Sequence, residues 1–115
     1  MEKKVEISIL LDIYANLLTS KQYDFLNDYY NNDLSLSEIA ENENITRQAV
    51  RDNLKKGENK LFEYEEKLGL MKKQIMQEEQ IANIISELSK LTTKSSDKEV
   101  AKVLEDVKKK LNCLV

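Results

Sequence analysis

The chain of 115 residues has no histidine, no proline, two glycines and a single cysteine. Each scarcity removes a class of chemistry. Without histidine there is no conventional His-based general base and no catalytic triad. One thiol and no imidazole exclude a zinc site built from histidine and cysteine. With glycine only at Gly57 and Gly69, no glycine-rich loop can cradle phosphates, so intrinsic GTPase activity is not expected. The reading is a non-enzyme without cofactor or metal. A lone Cys113 forms no internal disulfide, which suits a reducing, cytoplasmic location. It is expected to be incidental and half-buried. Long hydrophobic runs are also missing. No window nears the roughly 18 apolar residues of a membrane span, and Met1–Glu6 lacks a cleavable secretory pattern. No membrane partner is expected.

What is present favours helices. Nothing interrupts long runs, because proline is absent, and the hydrophobic content of 41% is too high for a broadly disordered chain. Apolar residues recur at three- and four-residue spacings throughout, and alternating β patterns are absent. Residues 5–18 predict a first amphipathic helix through Val5, Ile9, Leu10, Ile13, Leu17 and Leu18. Thr19-x-x-Gln22 reads as a capping box opening a second helix to about Tyr30, with Tyr23, Leu26 and Tyr30 inward. Asn31-Asn32-Asp33 is a turn, since these side chains tolerate left-handed backbone. Ser35-x-x-Glu38 is a second capping box and opens a short helix with Leu36, Ile39 and Ala40. Asn42-Glu43-Asn44 supplies a turn, Ile45 is expected to plug the core, and Thr46 caps the next helix.

That fourth helix is long. Val50, Leu54, Leu61, Tyr64 and Leu68 make its stripe, and Gly57 stands where another member belongs. Close approach of a neighbouring helix or a kink would each account for that glycine. Gly69 ends the helix. Ile75, Ile81, Ile84, Ile85, Leu88 and Leu91 form a fifth stripe. Thr92 to Ser96 reads as a polar linker. Ser96-x-x-Glu99 then caps a sixth helix carrying Val100, Val103, Leu104, Val107, Leu111 and Leu114. The expected fold is therefore an all-α helix-turn-helix bundle of residues 1–70 with a long fourth helix. Two amphipathic helices in residues 71–115 follow, either part of the same compact unit or a dimerisation element. The aromatics sit mostly at core spacings. Uncovered stripes on a short chain predict a homodimer.

Charge is distributed unevenly. The net charge is −3, yet residues 1–70 carry 9 basic and 14 acidic side chains, and residues 71–115 carry 9 and 7. Inside the acidic first part, Arg47, Arg51, Lys55, Lys56 and Lys60 form a positive island. A helix capped by Thr46, with Ala49, Val50 and Leu54 inward, presents Arg47, Gln48, Arg51, Asp52 and Lys55 outward. Arginine can bond guanine or phosphate, and glutamine can pair with adenine. Lys55, Lys56 and Lys60 suit phosphates, which position a protein without reading sequence. Arg47, Gln48, Arg51, Lys55 and Lys56 are thus the candidate nucleic-acid contacts. An ordinary solvated face would carry the same residue types, and Glu41, Glu43 and Asp52 oppose phosphate nearby.

The stretch Leu34-Ser35-Leu36-Ser37-Glu38-Ile39-Ala40, then Ile45-Thr46-Arg47-Gln48-Ala49-Val50-Arg51, resembles the promoter-reading C-terminal domain of bacterial sigma factors. In that family the positions of Arg47, Gln48 and Arg51 face DNA; the chain departs from it at Ala49 and Asp52. A more extensive resemblance adds Leu17-Leu18-Thr19-Ser20-Lys21-Gln22, Tyr29-Tyr30, Asp52-Asn53 and Tyr64-Glu65-Glu66-Lys67-Leu68. Together these resemble the YlxM-like family of small helix-turn-helix proteins from Gram-positive bacteria. The family's genes neighbour those of the signal recognition particle GTPase. The resemblance implies a DNA-binding regulator of that pathway, or an accessory factor that contacts the particle's RNA or its GTPase.

Overall fold

A computed structural model describes residues 1–94 and 97–114 of the chain. The described residues form six α-helices: α1 (Lys3–Tyr14), α2 (Ser20–Tyr30), α3 (Leu36–Glu43), α4 (Arg47–Leu68), α5 (Leu70–Lys94) and α6 (Lys98–Asn112). A short 3-10 turn, Ala15–Leu17, follows α1. The fold is all-α, as the apolar spacing predicts. The chain divides into two compact units, Met1–Met71 and Lys72–Val115.

The first unit is built around α4. Val50, Leu54, Gly57 and Leu61 form its buried side. They meet Ile7, Leu10, Leu11 and Tyr14 of α1, Phe25, Leu26 and Tyr30 of α2, and Ile39 and Ala40 of α3 in one core. The helix starts are local chemistry. Thr19 and Ser35 each accept from the third helical N–H, and Gln22 and Glu38 reach back to the capping N–H groups. Both boxes are as predicted, and each satisfies two backbone donors that a helix start leaves unpaired.

Gly57 marks a close approach. A Cβ built there would lie 2.8 Å from Leu26 Cδ1, while α4 runs unbroken from Arg47 to Leu68. The contact with α2, not a kink, explains the glycine.

Several expected positions differ. The first helix ends at Tyr14 rather than Leu18, and its buried side is Ile7, Leu10, Leu11 and Tyr14. Val5 and Leu17 are about half exposed. The apolar neighbours Ile9-Leu10-Leu11 and Ile13-Tyr14 permit two overlapping stripes, and packing against the other helices selects one. Leu68 is also exposed. Tyr64 bonds the Leu17 carbonyl and Glu65 meets Tyr14, so α1 ends beside that turn of α4. Leu68 falls one turn further on.

In the second unit, α5 continues through Thr92–Lys94, where a linker was expected. The Thr92 hydroxyl donates to the Leu88 carbonyl and that of Thr93 to Lys90, a back-bonding that threonine makes inside helices. The α6 cap is Asp97, which accepts from the Glu99 and Val100 N–H groups. Ser96, the expected cap, lies outside the described residues. Ile81 is the buried residue of α5. Ile75, Ile85, Leu88, Leu104 and Leu111 are half-buried, whereas Ile84, Leu91, Val100 and Val103 are exposed. Cys113 is exposed rather than half-buried, because α6 ends at Asn112.

The α4–α5 joint has its own bonding. Gly69 takes the left-handed conformation at φ 62° and caps α4. Tyr14, buried in the core, donates to Glu65 Oε1 at 2.7 Å and accepts from the Leu70 N–H at 3.3 Å. Glu65 Oε1 also accepts from the Met71 N–H at 2.9 Å. Two first-turn donors of α5 are thereby satisfied. Burial raises the Tyr14 hydroxyl above its ordinary value of 10.0, and the bond to Glu65 raises it further. A raised acid favours the protonated fold, so this stabilisation is complete below pH 10 and is lost as pH climbs beyond it. Tyr14→Phe is expected to cost about 1 kcal/mol at neutral pH. It should also flatten the loss of stability above pH 10 relative to the unsubstituted chain. Urea unfolding at neutral and alkaline pH measures both; parallel pH profiles would refute this role.

Candidate nucleic-acid interface

Residues 35–56 form the helix-turn-helix. α3 ends with Asn44 in the left-handed conformation, φ 55° and ψ 45°. The Asn44 N–H bonds the Ala40 and Glu41 carbonyls, and the Ile45 N–H bonds Ala40. This is a Schellman-type stop, which asparagine tolerates better than most residues. Ile45 contributes its backbone to that stop, and its side chain is 37% exposed instead of plugging the core as expected. Ile39 and Ala40 are the buried apolar residues there.

Thr46 then caps α4, its hydroxyl accepting from the Ala49 N–H at 3.1 Å. Val50 and Leu54 are buried behind and Ala49 is half-buried. Asn53 adds a bond from its side-chain amide to the Ala49 carbonyl at 2.8 Å. The N-terminal half of α4 is therefore held from its inner side, and its outer side is left to solvent.

Arg47, Gln48, Arg51, Lys55 and Lys56 are all exposed. Arg47, Gln48 and Arg51 line one cleft of about 680 Å³ with Ser35, Leu36, Ser37 and Thr46. The starts of α3 and α4 meet there, and helix starts carry partial positive charge. Arg51 also lines an adjoining cleft with Lys55, Leu36 and Tyr29. Lys56 lines neither. At about 100° per residue it stands half a turn from Arg47.

Arg47, Arg51, Lys55 and Lys56 make no hydrogen bond or ion pair among the described residues. Gln48 is engaged, since its side-chain N–H donates to Asp52 Oδ1 at 3.0 Å. That bond places a carboxylate at the edge of the face and leaves the Gln48 carbonyl as the free group. Ser35 and Ser37 were not among the sequence-derived candidates. Their place in the cleft depends on how α3 crosses α4, and no spacing along the chain signals it. Among the described residues no group of His, Cys, Asp and Glu is arranged to hold a metal, and no helix is long and apolar enough to cross a membrane. The arrangement offers cations and hydrogen-bond donors to an anionic polymer.

Comparison with known proteins supports the helix-turn-helix itself. Residues 1–107 match a family model described as "Putative helix-turn-helix protein, YlxM / p13 like". A UPF0122 protein of Acetivibrio thermocellus is 42% identical over 115 residues, covering 100% of this chain and 98% of its own. One from Fusobacterium nucleatum is 51% identical over 80 residues, 68% of this chain and 78% of its own. One from Listeria welshimeri is 42% identical over 109 residues, covering 93% and 96%.

Proposed function

Because the chain belongs to the YlxM/p13-like helix-turn-helix family, we propose that it is a DNA-binding regulatory protein of the signal recognition particle pathway. The observation that carries DNA binding is the pair Arg47 and Arg51. Both are exposed, lack a partner among the described residues and line the cleft where α4 begins. In this motif class the start of the second helix meets base edges. Gln48 adds an acceptor beside them, and Lys55 extends the positive face along α4. Lys56 adds charge without sharing the cleft. The protein works by binding, as a cytoplasmic non-enzyme. Its pathway is inferred from the family resemblance carried by residues 17–68.

A second reading has its own observation. Asp52 holds Gln48, Glu41 and Glu43 are exposed nearby, and the net charge is −3. These acids suit a basic protein surface. In this reading the chain is an accessory factor contacting the particle's GTPase or its RNA.

Titration of the full chain with duplex DNA over a salt series tests the first reading. Affinity is expected to fall linearly with salt on logarithmic axes. Capture of the purified particle GTPase or particle RNA, with no salt-dependent duplex binding, would replace the first reading with the second. The exposed apolar residues of α5 and α6 fit residues 72–115 as a homodimerisation element. Light scattering is expected to return twice the 13.4 kDa of the chain, and the single-chain mass would refute it.

A further inference from the structure

Three clefts on the first unit share walls. The cleft at the start of α4 shares Leu36 and Arg51 with its neighbour along that helix. The neighbour shares Lys3, Tyr29 and Tyr30 with a third cleft, of about 470 Å³, which also contains Lys4 and Asp33. Arg47, Arg51 and Lys55 stand about 6 Å apart along α4. The track then passes to Lys3 and Lys4 at the start of α1. It carries five cations against the two acids Glu58 and Asp33. This is a positive path across a part of the chain in which acids outnumber bases by 14 to 9.

We propose that a nucleic-acid backbone follows this track off α4 and onto the start of α1. Lys3 and Lys4 take phosphates there, and the Tyr29 hydroxyl donates to one. The proposal rests on the DNA-binding reading and adds a second contact region to it. Lys3 pairs with Glu58, and Lys4 pairs with Asp33. Both lysine side chains remain more than half exposed, and the Lys4–Asp33 pair, exposed on both sides, is weak. A phosphate therefore replaces the Asp33 carboxylate at little cost, while Glu58 is mostly buried. Glu58 keeps a hydrogen bond from the Tyr30 hydroxyl when Lys3 leaves. Tyr29 has no hydrogen bond for its hydroxyl among the described residues. Its ring is set edge-on against Tyr30, with centroids 5.0 Å apart, so the phenol is held in place. Tyrosine hydroxyls and lysines are common donors to phosphate.

The test uses the full chain, a short mixed-sequence DNA duplex and fluorescence anisotropy over a salt series. Lys3→Gln with Lys4→Gln is expected to make the salt slope shallower by about 1.8, roughly 0.9 for each phosphate no longer neutralised. Tyr29→Phe should weaken binding a few-fold with little change in slope. Asp33→Asn removes an acid from the track and releases Lys4, so it should tighten binding. That variant also separates the proposal from a purely structural Lys4–Asp33 pair. A structural role makes both changes weaken binding, whereas phosphate binding makes them act in opposite directions. An unchanged slope in the lysine variant, with normal wild-type binding, overturns the track and leaves the Arg47–Arg51 reading standing. Absence of any salt-dependent wild-type binding removes both.

Discussion

Truncating Leu26 to alanine is expected to cost about 2–5 kcal/mol, the range for deleting a buried leucine side chain. Leu26 is fully buried between α2 and α4. Small domains have only about 5–15 kcal/mol to lose, so the variant should be marginal or unfolded when warmed. The more specific expectation concerns Gly57. A methyl group there would stand 2.8 Å from Leu26 Cδ1 and 3.2 Å from its Cγ, closer than carbon atoms pack. Gly57→Ala alone recovers about 1 kcal/mol of helix propensity. It also incurs about 1–3 kcal/mol of overpacking. The net effect is a loss of about 1 kcal/mol. With Leu26 already truncated, the same methyl enters vacated space and should instead stabilise by about 1 kcal/mol. Four urea-unfolding curves complete the cycle. A reversal of sign is the expected coupling for residues in contact; strictly additive changes would mean that the two sites do not meet.

This pair also illustrates what the sequence discloses. Gly57 interrupts a readable stripe, so its position on the inner side of α4 is legible. The identity of its neighbour is not, because Leu26 is 31 positions away and only the crossing of α2 over α4 joins them. Helix starts are legible for the opposite reason. Thr19, Ser35 and Thr46 bond N–H groups three positions on, so all the chemistry lies in one short window. The left-handed turn at Asp33 and the left-handed helix stops at Asn44 and Gly69 are also local, since these residue types suit that backbone.

Phase along α1 is not local. The expected side runs through Val5, Ile9, Leu10, Ile13, Leu17 and Leu18; of these Leu10 is buried, together with Ile7, Leu11 and Tyr14, and Ile13 and Leu18 are partly buried against the core. The choice is made by α2 and α4. Ile45 and Leu68 fail as core residues on similar grounds. A Schellman turn claims the backbone of one, and the other lies a turn beyond the end of α1. The grouping of Arg47, Gln48 and Arg51 follows from the Thr46 cap and helical spacing, and the structure gathers all three at one cleft. The same arithmetic sets Lys56 on another side. Helical spacing does not reveal that Lys3, Lys4 and Tyr29 stand at the far end of the positive surface, because those residues belong to other helices.

Reversing Arg47 and Arg51 together to glutamate is expected to abolish measurable duplex binding while leaving the fold intact. The two halves of that expectation have separate causes. Both side chains are exposed and lack partners among the described residues, so the change should alter stability by only about 0.5 kcal/mol. Each arginine paired to a base is worth about 1–3 kcal/mol. Losing two therefore weakens binding by roughly thirtyfold to roughly twenty-thousandfold, at about 1.4 kcal/mol per factor of ten. Two carboxylates in their place add repulsion. Comparison variants make the location of the effect decisive. Asp52→Asn removes a charge from the face while retaining an acceptor for Gln48, so it should tighten binding. Lys56→Glu makes a large charge change half a turn from Arg47 and should weaken binding far less than either arginine reversal. If Lys56 proved as sensitive as the arginines, attraction to the whole domain would be driving association. If the double reversal left both affinity and salt slope intact, the ligand would not approach this side of α4. The protein-contact reading would then account better for the exposed acids beside the cleft.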